Sequence, residues 1–308
     1  IEIELYGNNA IIKNLRMKHL NRNLTSGRIG KQLVSLTWPM LFGMMGMVIF
    51  NLTDTFFLGR LGVKPLAAIS FTFPVIMFLN GIGQGIGIGT SSLVSRNIIT
   101  AERDHVRTIA SSALLLGLLA VVVFVVAGML TIRPLFSLLG ASGDILEYVH
   151  DYMSIWYVGV PFVVLPMVGN NVVRAAGDTF TPGMVMLTSA VINAVLDPLL
   201  IFGIGPFPEM GVKGAALATV IARSVSMVII LIILFKREKI ITLRPGSFKM
   251  IAGVWKKVLF IAGPASLGLL ITPLSLAVIN RIVASYGKEA VAAFGVASRV
   301  EMFALMVI

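Results

Sequence analysis

Residues 182–203, PGMVMLTSAVINAVLDPLLIFG, are apolar over a length that crosses a bilayer, and a carboxylate, Asp197, stands inside them. About 20 predominantly apolar residues span the hydrocarbon core of a membrane. A charge there costs at least about 2.5 kcal/mol at the helix centre, so an ionisable residue in a span marks function by default. A second stretch, residues 33–58, carries Asp54 in the same circumstances. Of the 14 acidic residues only Asp54, Asp197 and Glu301 fall well inside such stretches, and the rest lie in the connections or, like Asp151, at the edge of a span.

The whole composition agrees with that local reading. Hydrophobic residues make up 57% of the chain and charged residues 13%, with a mean hydropathy of +0.93. A soluble domain carries about 25% charged residues. The net charge of +11 does not point to nucleic acid, because the basic residues flank apolar spans instead of massing on one module with aromatics between them. Cysteine is absent, which excludes disulfides and thiolate chemistry. His19, His105 and His150 all sit in charged connections and read as solvated loop residues.

Hydropathy places an all-α integral membrane protein with spans at 33–58, 66–95, 108–131, 149–173, 182–203, 212–236 and 256–282, and an eighth starting near 290. Residues 1–32 carry six basic residues and no long apolar core, so they read as a cytoplasmic basic segment. Alternating the connections puts 17 Lys and Arg on the side of that segment and six on the other. Positive residues stay inside, so the expectation is a multi-pass protein of the cell membrane with a cytoplasmic N-terminus. Two basic residues, Arg223 and Arg299, remain within spans away from their ends, the other in-span Lys and Arg standing within a residue or two of a span end.

The chain echoes itself at an offset of 225 residues. Pro39, Gly43, Gly62, Ala67, Ala68, Met77 and Phe78 fall on Pro264, Gly268, Gly287, Ala292, Ala293, Met302 and Phe303. The spans in 33–236 are therefore one six-helix lobe, 237–255 is a cytoplasmic inter-lobe linker, and 256–308 is the start of a second lobe. Six is even, so both copies enter from the same side, and an intact repeat would hold about twelve helices.

Depth bookkeeping then gathers a polar layer. Asp54, Asp197 and Thr219 each lie about 9–10 Å below the outer boundary at 1.5 Å per residue. Asn193 is one turn from Asp197 on the same face, and Asn51 lies almost a turn below Asp54. Pro198 removes a backbone donor beside the site, and Pro39 opens the first lobe as Pro264 opens the second; both Pro198 and Pro39 are expected to kink their helices. Oxygen ligands of this kind suit a hard cation such as sodium at Asp54, Asn193, Asp197 and Thr219. Alternatively, two desolvated carboxylates share a proton. Interhelical polar glue is the plainer reading for Asn51, Asn193 and Thr219. The run Gly81, Gly83, Gly85, Gly87, Gly89 never satisfies a nucleotide-binding pattern; at i,i+4 it permits close helix packing.

These residues lie in segments that resemble the multidrug and toxic compound extrusion (MATE) family: TWPMLFG around Pro39, FNLTDTFFLGRLG around Asp54, GIGIGTSSLVSR at 85–96, RAAGDT at 174–179, NAVLDPLLIFG at 193–203, MGVKGAALATV at 210–220 and SRVEMFAL at 298–305. The resemblance implies a twelve-helix architecture of two six-helix lobes. It implies a secondary antiporter, monomeric and without cofactor, that exports cationic or amphipathic compounds in exchange for sodium ions or protons. By the same resemblance Asp54, Asn193, Asp197 and Thr219, with the carbonyl of Ala215, form the cation site. Asn170 corresponds to a cavity-lining asparagine, and Glu301 to a glutamate that relays charge in part of the family. Arg223 departs from the neutral residue expected there, and if it reaches Asp197 it competes with an incoming cation.

Two other functions are weaker. A lipid-linked oligosaccharide flippase of the same superfamily needs several cationic residues in its cavity, and only Arg223 and Arg299 are in-span. An intramembrane aspartyl protease uses G-x-G-D on a helix, whereas the Gly-Asp pairs here, Gly143-Asp144 and Gly177-Asp178, lie in connections.

Overall fold

The computed structural model describes residues 29–98, 103–242 and 246–307. Eight long helices carry them: α1 (Ile29–Leu61), α2 (Val63–Asn97), α3 (Arg103–Leu138), α4 (Asp144–Ala175), α5 (Phe180–Ile201), α6 (Val212–Ile232), α7 (Phe248–Val283) and α8 (Lys288–Val307). Among the described residues there is no strand. Six of the helices, α2 to α7, are long and apolar enough to cross a membrane. Most of the basic 1–32 segment lies outside the described residues.

Several helices outrun their hydropathic spans. At 36 residues, α3 is about 54 Å long against a hydrocarbon core of about 30 Å, so its polar ends, Arg103 and Arg133 among them, emerge from the membrane. α7 begins at Phe248, inside the stretch read as linker. Its first turns bury Ile251, Val254, Val258 and Ala262, a stripe at helical spacing, and the Trp255 indole donates to the Ser112 carbonyl of α3 at 2.7 Å. The connection between α6 and α7 is correspondingly short.

α2 is the central helix, packed against α4 on one side and α7 on another, with α8 beyond. The alternating glycines make this possible. Gly81, Gly85 and Gly89 face Leu270, Ser266 and Val258 of α7, while Gly83 and Gly87 face Val164 and Asn171 of α4. Removing side chains from both faces lets two neighbours approach one backbone. α1 packs on α5, α5 on α6, and α4 on α6, which closes the first lobe.

The connections sort to two ends. At one end Lys64 pairs with Asp144, Arg133 with Glu147, and Lys213 with Asp151. At the other, Arg237 pairs with Asp178, and Arg103 and Arg107 donate to the carbonyls of Glu238 and Lys239. The repeat is visible in the backbone. Gly62 between α1 and α2 has φ 122° and ψ 177°, and its counterpart Gly287 between α7 and α8 has φ 106° and ψ 171°. Only glycine adopts that region without strain, so the same residue makes the same joint twice.

Candidate functional site

α5 presents Asp197 and Asn193 one turn apart on its buried face, both with no exposed surface. The Asn193 amide donates to Asp197 Oδ1 at 3.0 Å. The amide oxygen of Asn193 and the second carboxylate oxygen of Asp197 are left without a protein donor. From α1, Asp54 reaches electrostatic range of Asp197, and its Oδ1 is likewise buried without a donor. From α6, Thr219 adds a buried hydroxyl with no regular hydrogen bond, and Ala215, fully buried, lies one turn away. Pro198 falls in the last turn of α5, so the helix ends just beyond the site and runs unbroken up to it.

Four side chains from three helices thus converge with oxygens that no regular hydrogen bond meets among the described residues. Buried polar groups are normally hydrogen-bonded, and a cluster of orphaned acceptors calls for a missing positive partner. Carboxylate, amide and hydroxyl oxygens are the donor set of a hard cation, and the carboxylates equally take protons. The residues present therefore fit either sodium ions or protons.

Tyr152 of α4 belongs to the same cluster, within reach of Asp54, Asp197, Arg299 and the Thr219 hydroxyl. Sequence reasoning misses it, although depth bookkeeping holds a signal: eight residues from the start of α4 puts it about 12 Å in, near the level of Thr219. Sequence reasoning also misses Thr55, beside Asp54, whose hydroxyl donates to the Asn51 carbonyl at 2.6 Å.

Other candidates lie elsewhere. Asn51 is half-buried on α1, and its carbonyl serves Thr55. Asn170 is buried, with an unsatisfied side-chain oxygen, but 18 residues beyond Tyr152 on α4 it stands about 27 Å further along the helix. It is therefore not in the cation layer. Arg223 is directed to aromatic surface, its guanidinium 4.7 Å from the centre of the Phe50 ring. Glu301 is exposed on α8, whereas Arg299 on the same helix is buried and enters the cluster. The side chain of Pro39 lies outside the described residues.

A family model described as MatE matches residues 39–199, which takes in Asp54, Tyr152, Asn193 and Asp197. An FAD transporter of Shewanella oneidensis is 42% identical over 285 residues, covering 92% of this chain and 63% of its own length. The multidrug export protein MepA of Staphylococcus saprophyticus is 28% identical, over 90% of this chain and 61% of its own. Among solved structures, the Vibrio cholerae MATE transporter VcmN in the bent form is 34% identical with a TM-score of 0.76, over 90% of this chain and 62% of that one. The MATE multidrug transporter DinF-BH is 28% identical with a TM-score of 0.82, over 92% and 64%. The chain therefore spans just over three fifths of the length of the curated relatives it matches.

Proposed function

This chain belongs to the MatE family of membrane transporters, and from that premise we propose that its protein is a secondary active antiporter that exports small amphipathic molecules in exchange for sodium ions or protons. The observation that carries the proposal is the set of orphaned oxygens on Asp54, Asn193, Asp197 and Thr219. Exchange needs a group that holds a cation in one conformation and releases it in another, since a ligand shifts an equilibrium only by its differential affinity. A carboxylate in a dry site supplies that difference, because its charge is costly there until a cation or proton neutralises it. The basic connections are assigned to the cytoplasmic side, where Lys and Arg are retained.

The coupling ion is tested in proteoliposomes holding the intact protein, with a sodium gradient and a proton gradient imposed in turn. Efflux that follows one of them supports the reading, and efflux indifferent to both removes it.

A second reading of the cargo has its own observation. The 42% identical relative is named an FAD transporter, against 28% for the multidrug export protein, and α6 and α8 each carry an arginine within the apolar stretch, Arg223 and Arg299. A flavin dinucleotide carries a pyrophosphate that arginines recognise and an aromatic ring that apolar walls accept. Flavin accumulating in the medium of expressing cells, with no change in export of a cationic dye, would favour that cargo over organic cations.

A further inference from the structure

The second repeat inserts a fixed cation beside the carboxylate of the first. Arg299, eleven residues into α8, is only 8% exposed. Its Nη1 donates to the Thr55 hydroxyl of α1, and its guanidinium lies 5.4 Å from the centre of the Phe73 ring of α2. Asp54 of α1 and Tyr152 of α4 are within its electrostatic range. The remaining charged groups of the cluster are Asp197 on α5 and Arg223 on α6. Among the described residues no ion pair joins Arg299 to a carboxylate, so its charge is balanced through space, chiefly by Asp54.

The repeat gives this contact a mate. At the offset of 225, Thr55 corresponds to Asn280, and Asp54 to Ile279. Asn280 of α7, 3% exposed, donates to the Ser70 carbonyl of α2 at 3.0 Å. Ser70 in turn corresponds to Gly295, which packs directly on Ser70. The seam between the two repeats thus has two halves built at related positions. One half is a neutral side chain on a backbone carbonyl and has nothing to switch it. The other half is a guanidinium on a side-chain hydroxyl, with the Asp54 carboxylate within electrostatic range.

We propose that Arg299 is a tethered counter-cation for Asp54, which balances the carboxylate and docks α8 on α1 while the coupling cation is absent, and leaves when that cation arrives. A second cation brought to Asp54 repels the guanidinium, and the repulsion is strong in a low-dielectric site, so occupancy by one weakens the hold of the other. Ion binding in the first lobe is thereby read out as opening of the α1–α8 seam, a differential contact of the kind that coupling between sites requires. Arg299 is a positioning residue in this scheme. The proposal rests on the coupling role assigned to Asp54 above.

The test uses the intact protein in liposomes with spin labels at two exposed positions, 60 on α1 and 289 on α8, and measures the distance across the seam. In the otherwise unaltered protein that distance should lengthen under whichever ion gradient drives efflux, by on the order of one helical turn, ~5 Å. Arg299→Gln should be open without any gradient and should no longer respond, Arg299→Lys should retain the response, and Thr55→Val should open partly. Asp54→Asn should match Arg299→Gln, and the double variant should open no further than either alone, because both remove one interaction. An unchanged distance in Arg299→Gln or in Asp54→Asn, or additive opening in the double variant, overturns the proposal. The coupling reading is judged separately. If Asp197→Asn loses gradient-driven efflux while these distances stay fixed, the ion site stands without the tether; if the distances shift but Asp197→Asn transports normally, the reverse holds.

Discussion

Asp197 is the residue on which the proposed exchange most directly depends. Its carboxylate is fully buried, held by one amide and otherwise unsatisfied. Asp197→Asn keeps its shape and removes a charge that has no fixed partner among its hydrogen bonds, so folding and insertion should be unaffected. Gradient-driven efflux should fall to the background seen without a gradient, measured in proteoliposomes, and Asp54→Asn should behave alike because the two carboxylates act as a pair. Asn193 orients Asp197 through its amide N–H and presents its own amide oxygen to the site, so Asn193→Ala should weaken apparent coupling-cation affinity by at least about 10–100-fold, the loss that removing an orienting partner alone brings, with maximal efflux less affected. Unchanged affinity in that variant would mean that the 3.0 Å hydrogen bond is packing alone. The aspartates are legible in the sequence because a charge in an apolar run stands out without any structure. Tyr152 and Thr55 are not, since a tyrosine or threonine in a span is unremarkable until its neighbours are known. Arg299 is visible as an in-span charge, but its partner lies 244 residues away on another repeat, and no periodicity links such positions.

At the level of elements, the candidate site depends on α5 and α6 packing together, which brings Thr219 and Asp197 into one cluster around Tyr152. Gly214 permits that approach, since a Cβ there would run into the Leu200 carbonyl, and backbone cannot move aside as a side chain can. Alanine is the better helix former by about 1 kcal/mol, which opposes the clash. Overpacking of a fixed contact costs about 1–3 kcal/mol, so Gly214→Ala should lower thermal stability and displace Thr219, with weakened ion coupling. A variant as stable as the parent would show that the helices can part without loss. Helix existence and order follow from hydropathy, because a bilayer forces apolar runs into helices. Helix ends do not follow, because hydropathy registers the hydrocarbon and not the emergent turns, as Phe248 at the start of α7 illustrates. The far ends are held by polar contacts instead. Asp178 loses solvation on partial burial, but hydrogen bonds from Thr181 and from Arg237 outweigh that and hold its carboxyl below the ordinary value of 3.8. A carboxyl lowered on folding contributes stability that is present above its unfolded value and lost as pH falls through the folded one. Melting temperature should therefore drop on acidification below about pH 4, and Asp178→Asn should flatten that limb while being less stable at neutral pH. The half-exposed Arg237 keeps the effect small.

Over the whole molecule, a symmetric scaffold carries an asymmetric charge. Gly62 and Gly287 make the same joint, and Asn280 and Thr55 occupy matching places on the seam, yet the position matching Asp54 is Ile279. Between these matching positions shape is duplicated and the carboxylate is not, so the proposed counter-cation pair sets Arg299 of the second repeat against Asp54 of the first. Such an arrangement works only if the two ends of the bundle face different compartments. All the connections that bear Arg96, Arg103, Arg107, Arg174 and the α6–α7 linker should then lie on one side, and the contacts of Arg103, Arg107 and Arg237 gather three of these connections at one end. Basic connections remain cytoplasmic because Lys and Arg resist translocation. Ser247 is exposed in that linker, immediately before α7. These 308 residues hold no cysteine, so with any cysteine elsewhere in the intact protein replaced by serine, one placed there gives a single probe. Ser247→Cys in intact cells should be unreactive to a membrane-impermeant maleimide and should label after the membrane is opened. Labelling from outside in sealed cells would invert the topology, and with it the direction of the gradient that Asp54 and Asp197 are proposed to use.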